Sequence, residues 1–176
     1  TDLNSRLPYL FGNEIDWFHK TAKGLPEKSQ VAVLGAGPGL MCLSLLEGNP
    51  TLQIYTVDRD PAVVETFNKH LNAAGFHVPP FIMDTCHPVL LKLVEDESLD
   101  LLVIDADHSF HAVKRDVQHW WRKVKYDGLI LFHDYIDIEM SGTNGVARAV
   151  GEMEVAGGWQ EVEQVGISIV FRKVRA

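Results

Sequence analysis

An apolar run, Val31-Ala32-Val33-Leu34, breaks into Gly35-Ala36-Gly37-Pro38-Gly39 and then into a helix-like stretch from Leu40 to Leu46. A strand that ends in closely spaced glycines lets backbone approach a ligand where a Cβ would collide. The helix that follows aims unpaired N–H groups and a partial positive charge at the same spot, which suits a carboxylate or phosphate. The glycine spacing is G-x-G-x-G. A dinucleotide fingerprint, G-x-G-x-x-G, needs glycine at position 40, where Leu40 stands.

Downstream the same strand-then-helix alternation repeats, which predicts an α/β fold with a doubly wound, largely parallel sheet. Strands are expected at Val31–Gly35, Gln53–Val57, Pro80–Met83, Leu99–Ile104 and Gly128–His133. Helices are expected at Leu40–Glu47, Ala62–Ala74, His87–Glu95, Ser109–Lys125 and Asn144–Val155, packed on both faces. Trp159–Val165 and Ile167–Val174, hinged at Gly166, read as a closing antiparallel pair. Ile167, Ile169 and Phe171 alternate with Ser168, Val170 and Arg172, so one face of the last strand reads as fully apolar. Residues 1–28 read as a helical lid or packing segment, with Ile15, Trp17 and Phe18 on its apolar face. Residues 29–176 then form the main domain.

At 176 residues the chain suffices for one such domain. Its net charge of −8 argues against a nucleic-acid backbone as partner, because that binding rests on Lys and Arg neutralising phosphates. No apolar stretch reaches the roughly 18–20 residues needed to span a membrane. Cys42 and Cys86 make no disulfide framework and read as reduced thiols, so a cytoplasmic placement is expected. The chain begins at Thr1 without a methionine, which leaves a trimmed leader open, and a homo-oligomer is equally open.

Each expected parallel strand ends in polar residues: the glycine turn, Asp58, Asp84-Thr85, Asp105-Ala106-Asp107-His108 and His133-Asp134. One acid after a strand is often a helix cap, as Asp60 before Pro61 is read here. Acids on every strand of one sheet edge are better explained by a ligand crevice, which open α/β sheets place at the carboxyl ends of their strands. Asp58, about 20 residues beyond the glycine turn, is placed to accept hydrogen bonds from ribose hydroxyls. Asp84 is placed to accept from an adenine amino group. A nucleoside with a carboxylate-bearing tail fits this set better than a pyrophosphate.

Ile104-Asp105-Ala106-Asp107-His108-Ser109-Phe110, with Val113, Asp116 and Trp120, precedes His133-Asp134-Tyr135 and Gly145-Val146-Ala147-Arg148-Ala149-Val150. From Val31 to Val150 the chain resembles class I S-adenosylmethionine-dependent methyltransferases. Within them it is similar to the small branch of sugar and antibiotic-sugar O-methyltransferases. It departs from that branch at Tyr126-Asp127-Gly128, where the family has Pro-Gly-Gly, and in lacking an acid on the first strand before the glycine turn.

The resemblance implies a Rossmann-like fold and S-adenosylmethionine bound by Gly35, Ala36, Gly37, Gly39, Asp58, Arg59, Asp84, Thr85 and Asp105. It also implies methyl transfer to a hydroxyl of a small-molecule acceptor, walled by the N-terminal segment and the Tyr135–Asn144 loop. His108, His133 and Asp105 are the candidate catalytic residues. Asp105, Asp134 and His133, supplemented by Asp107, form a candidate site for Mg²⁺. Two competing readings are an NAD(P)-dependent oxidoreductase, against which Leu40 counts, and a nucleoside-binding module without catalysis.

Overall fold

The computed structural model describes residues 12–136 and 144–175. Its elements run α1 (Gly12–Gly24), β1 (Gln30–Leu34), α2 (Leu40–Gly48), β2 (Gln53–Asp58), α3 (Pro61–Ala73), β3 (Phe81–Ile82) and α4 (Pro88–Leu93). They continue with β4 (Leu99–Ile104), α5 (Phe110–Trp120), β5 (Val124–Phe132), α6 (Gly145–Ala156), β6 (Trp159–Val165) and β7 (Ser168–Lys173).

The strands form one seven-stranded sheet in the order β3-β2-β1-β4-β5-β7-β6. β1 to β5 are parallel, and β7 runs antiparallel between β5 and β6. The order reverses between β1 and β4, which opens a crevice at their carboxyl ends.

The continuous apolar runs follow from burial on both faces. Ala32, Leu34, Leu102, Ile104, Ile130 and Phe132 meet Leu90, Val113, Trp120 and Val150 from α4, α5 and α6. Their neighbours Val31, Val33, Leu101, Val103 and Leu131 meet Phe18, Leu45, Phe67 and Leu71 from α1, α2 and α3. Successive residues therefore serve opposite layers.

Two expectations are corrected. The helix from Ser109 ends at Trp120 rather than Lys125, passes through a 3₁₀ turn at Trp121–Lys123, and yields to β5. Val124, spaced like a helix-face residue, begins a strand instead. Lys173 Nζ donates to the carbonyls of Val124 at 2.8 Å and Trp121 at 3.3 Å, a contact supplied from β7 that no local pattern reveals. Tyr126-Asp127-Gly128 is a bulge inside β5: Leu99 pairs with Val124 but Leu101 with Leu129, and Asp127 has φ 66°. β7 lies inside the sheet between β5 and β6, with Ser168 to Phe171 and Lys173 buried and Arg172 exposed.

α1 packs on α2 and buries Trp17, Phe18 and Ala22. A Cβ on Gly48 would collide with the His19 carbonyl, so glycine sets the closeness of the two helices. Trp17 Nε1 donates to Glu163 Oε1 at 2.8 Å, tying α1 to β6. Residues 1–11 of the expected N-terminal segment and 137–143 of the expected acceptor loop lie outside the described residues.

Candidate functional site

The strand ends meet as the alternation requires. Asp105 N donates to Leu34 O at 2.9 Å and His133 N to Ile104 O at 3.1 Å, which extends the ladder into the polar residues beyond β4 and β5. A Cβ on Gly35 would overlap the Asp105 carbonyl, whereas one on Gly37 would meet open space. The two glycines thus differ in purpose. Gly35 lets β1 and β4 close together, and Gly37 leaves room in the crevice.

The cavity at this switch point is lined by Gly35, Gly37, Asp58, Arg59, Asp84, Thr85, Asp105 and Asp107, with Val57, Val63, Met83 and Ala106 as apolar wall. Arg115 and Asp116 complete it from α5. Ala36 and Gly39, also expected at the ligand, are not among the residues that line this cavity. Ala36 is buried in the core, and Gly39 gives space to Leu71 and Phe67, whose side chains a Cβ would meet at 2.6 and 3.0 Å. The α2 end of this turn is held from α3, where His70 Nδ1 lies 2.8 Å from Pro38 O.

The loop after β3 is clamped by one face of α5. Thr85 Oγ1 donates to Asp116 Oδ1 at 2.6 Å, and Trp120 Nε1 donates to Thr85 O at 3.0 Å. Residues 116 and 120 stand one helical turn apart, so a single residue is gripped twice. Burial pushes the Asp116 carboxyl up, against the lowering effect of its bonds from Thr85 and Cys86. Asp84 is fixed by Cys86 N at 2.9 Å and by Arg115 Nη2 at 3.1 Å. Arg115 was not singled out from sequence: one cation on an exposed helix face looks like any other.

A second polar cluster adjoins the cavity. His108 Nε2 lies 3.3 Å from both Asp105 Oδ1 and Asp134 Oδ2. His133 Nδ1 lies 3.1 Å from Asp105 Oδ1 and 3.0 Å from Asp134 Oδ2. The two imidazoles therefore share two carboxylates. Asp134 has φ 53°, a left-handed conformation that Asp tolerates better than most residues. Gly145, at the start of α6, would drive a Cβ into the His108 carbonyl and Phe110 N, so glycine seats that helix against the His108 turn.

The histidines differ in setting. His108 is about half exposed, with a side chain 47% accessible, while that of His133 is 5% accessible. Burial alone would lower the His133 pKa, but bonds to Asp105 and Asp134, with the Glu14 carboxylate nearby, push it up to about 12. The surrounding carboxylates thus favour the charged form of the ring. It stands behind the two carboxylates, more enclosed than the half-exposed His108. Burial would raise the Asp105 carboxyl, yet bonds from His108 and His133 hold it below its ordinary value. The His108 pKa is raised, chiefly by its bond to Asp105.

Among the described residues, Asp105, His108 and Asp134 offer ligand atoms within 4.8 Å of one another. His108 completes this set in place of the expected His133, whose Nδ1 is engaged by both acids. Asp107 is not part of it: its carboxylate accepts from Ser109 N at 2.9 Å and faces Arg59 at 3.9 Å. Glu14 also escaped the sequence reading. It is 1% exposed, and its Oε2 lies 3.7 Å from His133 Nε2. Its only signal was an acid beside the apolar residues Ile15, Trp17 and Phe18.

An open sheet with a glycine turn at its switch point and an acid-lined cleft defines a nucleoside-binding α/β domain of class I. Residues 33–135 match the family model described as a methyltransferase domain. The chain belongs to this family, the class I S-adenosylmethionine-dependent methyltransferases. Over 121 residues it is 30% identical to a tRNA N(3)-methylcytidine methyltransferase of Schizosaccharomyces pombe, covering 65% of this chain and 48% of that protein. It thus spans about half the length of that curated relative. A methyltransferase of Podospora anserina bound to S-adenosylhomocysteine superposes with TM-score 0.73 at 14% identity, over 98% of this chain and 84% of that one. An S-adenosylmethionine-dependent O-methyltransferase of Thermotoga maritima gives 0.71 at 12% identity, over 99% and 70%. At such identities the likeness is one of fold. Among the described residues no helix is long and apolar enough to cross a membrane.

Proposed function

We propose that this domain transfers the methyl group of S-adenosylmethionine to a hydroxyl oxygen of a small acceptor. The observation that carries the reading is the double membership of Asp105, which lines the cavity and belongs to the His108–Asp134 cluster. Cofactor cleft and proton-handling groups thus share one residue.

In this reading the Gly35–Gly37 turn and the α2 N-terminus take the amino-acid tail of the cofactor. Asp58 takes the ribose hydroxyls, and Asp84 takes the adenine amino group. The acceptor oxygen attacks in line as the methyl–sulfur bond breaks, leaving a neutral thioether. With Nε2–H of His108 held between Asp105 and Asp134, its Nδ1 is the nitrogen that accepts the hydroxyl proton, and the two carboxylates stabilise the imidazolium formed.

A divalent cation, Mg²⁺ for instance, fits the same three groups: two hard oxygens and one nitrogen, on a partly open face. Bound there, it would lower the pKa of an acceptor hydroxyl. His108 held as a ligand accepts no proton, so the two arrangements separate by chelation. An RNA acceptor is a second reading, favoured by the tRNA-modifying relative and opposed by the net charge of −8.

The test is transfer of a radiolabelled methyl group to catechol, polyols, sugars and tRNA, each with and without EDTA. Loss of transfer with EDTA assigns the cluster to a metal, and retained transfer assigns His108 as base. A protein that binds S-adenosylhomocysteine yet methylates no small hydroxylated compound refutes the proposal.

A further inference from the structure

Outside the cavity, one charged group has no part in the chemistry just described yet points at it. Glu14 sits on α1, ahead of the stretch that matches the methyltransferase family. Glutamate is rarely fully buried, because removing a carboxylate from water costs several kcal/mol unless it is paired. At 1% exposure, Glu14 needs partners.

Oε1 accepts from Ile167 N at 3.2 Å, in the turn between β6 and β7, and from Ser168 Oγ at 2.7 Å, at the start of β7. Room for the side chain comes from Gly166, where a Cβ would stand 2.7 Å from Glu14 Cγ and Cδ. With Oε1 anchored, Oε2 stands 3.7 Å from His133 Nε2. That separation is a charge contact, too long for a hydrogen bond. On the other side of the ring, Nδ1 meets Asp105 and Asp134. A half-turn of the ring would put carbon where each nitrogen now faces a carboxylate. Glu14 therefore adds a second constraint on which way the ring faces.

We propose that Glu14 is a positioning residue: from the N-terminal helix it fixes the His133 ring, and through that ring the Asp105–Asp134 pair beside the cofactor. The proposal rests on the methyl-transfer reading only in assigning a consequence for turnover. Ring placement stands apart from it. An anchor for the β6–β7 turn alone would need Oε1 and no more. The approach of Oε2 to His133 is what a merely structural carboxylate would not require.

The test uses the full chain saturated with S-adenosylhomocysteine. Glu14→Gln keeps an acceptor for Ser168 and Ile167 but turns an amide donor toward a ring N–H. Side-chain ¹⁵N spectra of His133 are recorded for wild type, Glu14→Gln, Ser168→Ala and Trp17→Phe, alongside melting curves. The expected result is displaced His133 ring nitrogens in Glu14→Gln, with S-adenosylhomocysteine affinity within about twofold, because Glu14 does not line the cavity. Ser168→Ala, which loosens the anchor and keeps the charge, should shift the same signals less; it decides the matter should Glu14→Gln fail to fold. Trp17→Phe releases α1 from Glu163 and should lower the melting temperature with His133 unmoved.

With catechol as probe acceptor, kcat should fall on the order of tenfold in Glu14→Gln while KM holds. Should wild type methylate neither catechol nor any polyol or sugar, the functional reading is at fault and the ring spectra still decide for or against Glu14. Unchanged His133 signals in Glu14→Gln overturn the proposal. So does an equal displacement in Trp17→Phe, which would mean general loosening of the helix.

Discussion

Gly35 and the Asp105 carbonyl occupy space that a Cβ and that oxygen could not share. The first glycine of the turn is thus a packing requirement between β1 and β4, set where the strand order reverses. Gly35 also has φ +93°. Gly35→Ala should cost about 3 kcal/mol or more, from overpacking and backbone strain together. Urea denaturation measures it.

Gly37 should behave in the opposite way. Its Cβ would meet nothing within 4 Å, and its φ of +49° is one that an L residue tolerates at a cost of about 1–2 kcal/mol. Gly37→Val should stay folded while S-adenosylhomocysteine binding weakens on the order of 100-fold, read by calorimetry. Wild-type affinity in that variant would remove the glycine turn from the cofactor site.

The clamp on Thr85 gives a third expectation. Asp116→Ala leaves a buried hydroxyl without its acceptor and should cost about 1–3 kcal/mol. The Asp84 loop would loosen with it, so cofactor affinity should fall even though the larger change is in stability. A double-mutant cycle with Arg115→Ala should show coupling, since both side chains hold the same loop.

His133 gives a pH dependence whose sign can be worked out. Its folded pKa, near 12, lies above the ordinary value of 6.5, so the folded state binds the proton more tightly. The stability it contributes is complete below about pH 6.5 and is lost progressively as pH rises toward the folded value. In EDTA, the stability difference between wild type and His133→Asn should therefore shrink from pH 6 to pH 10. A difference that grows over that range would show a neutral ring.

Asp134 separates binding from turnover. It lies outside the cavity lining but within the shared cluster. Asp134→Asn suits the left-handed backbone equally well, so folding should be preserved. Turnover should drop by 10-fold or more, with S-adenosylhomocysteine affinity nearly unchanged. Equal losses in both would place Asp134 at the cofactor instead.

Much of this was legible along the chain. The apolar runs are continuous because parallel strands are buried on both faces, and the polar residues fall at strand ends because the backbone must leave the sheet there. Asp60 caps α3 through Ala62 N at 2.8 Å, as its place before Pro61 implied. Those are local matters, settled by neighbours within a few residues. Asp116 and Trp120 were visible as a motif, but their joint grip on Thr85 joins positions about thirty residues apart and left no local trace.

Sequence alone determined the period of each strand, the glycine turn and the roster of acids at the sheet edge, since these depend on spacing and backbone sterics. Tertiary structure decided which histidine is buried and which is open, because burial depends on what packs over a ring. It is α1 that brings Glu14 to His133, where with Asp105 and Asp134 it raises the pKa of the ring. It also placed β7 inside the sheet, where Lys173 reaches the carbonyls that end the α5 segment. Charge state and strand position both come from distant neighbours, and no reading of a local pattern supplies them.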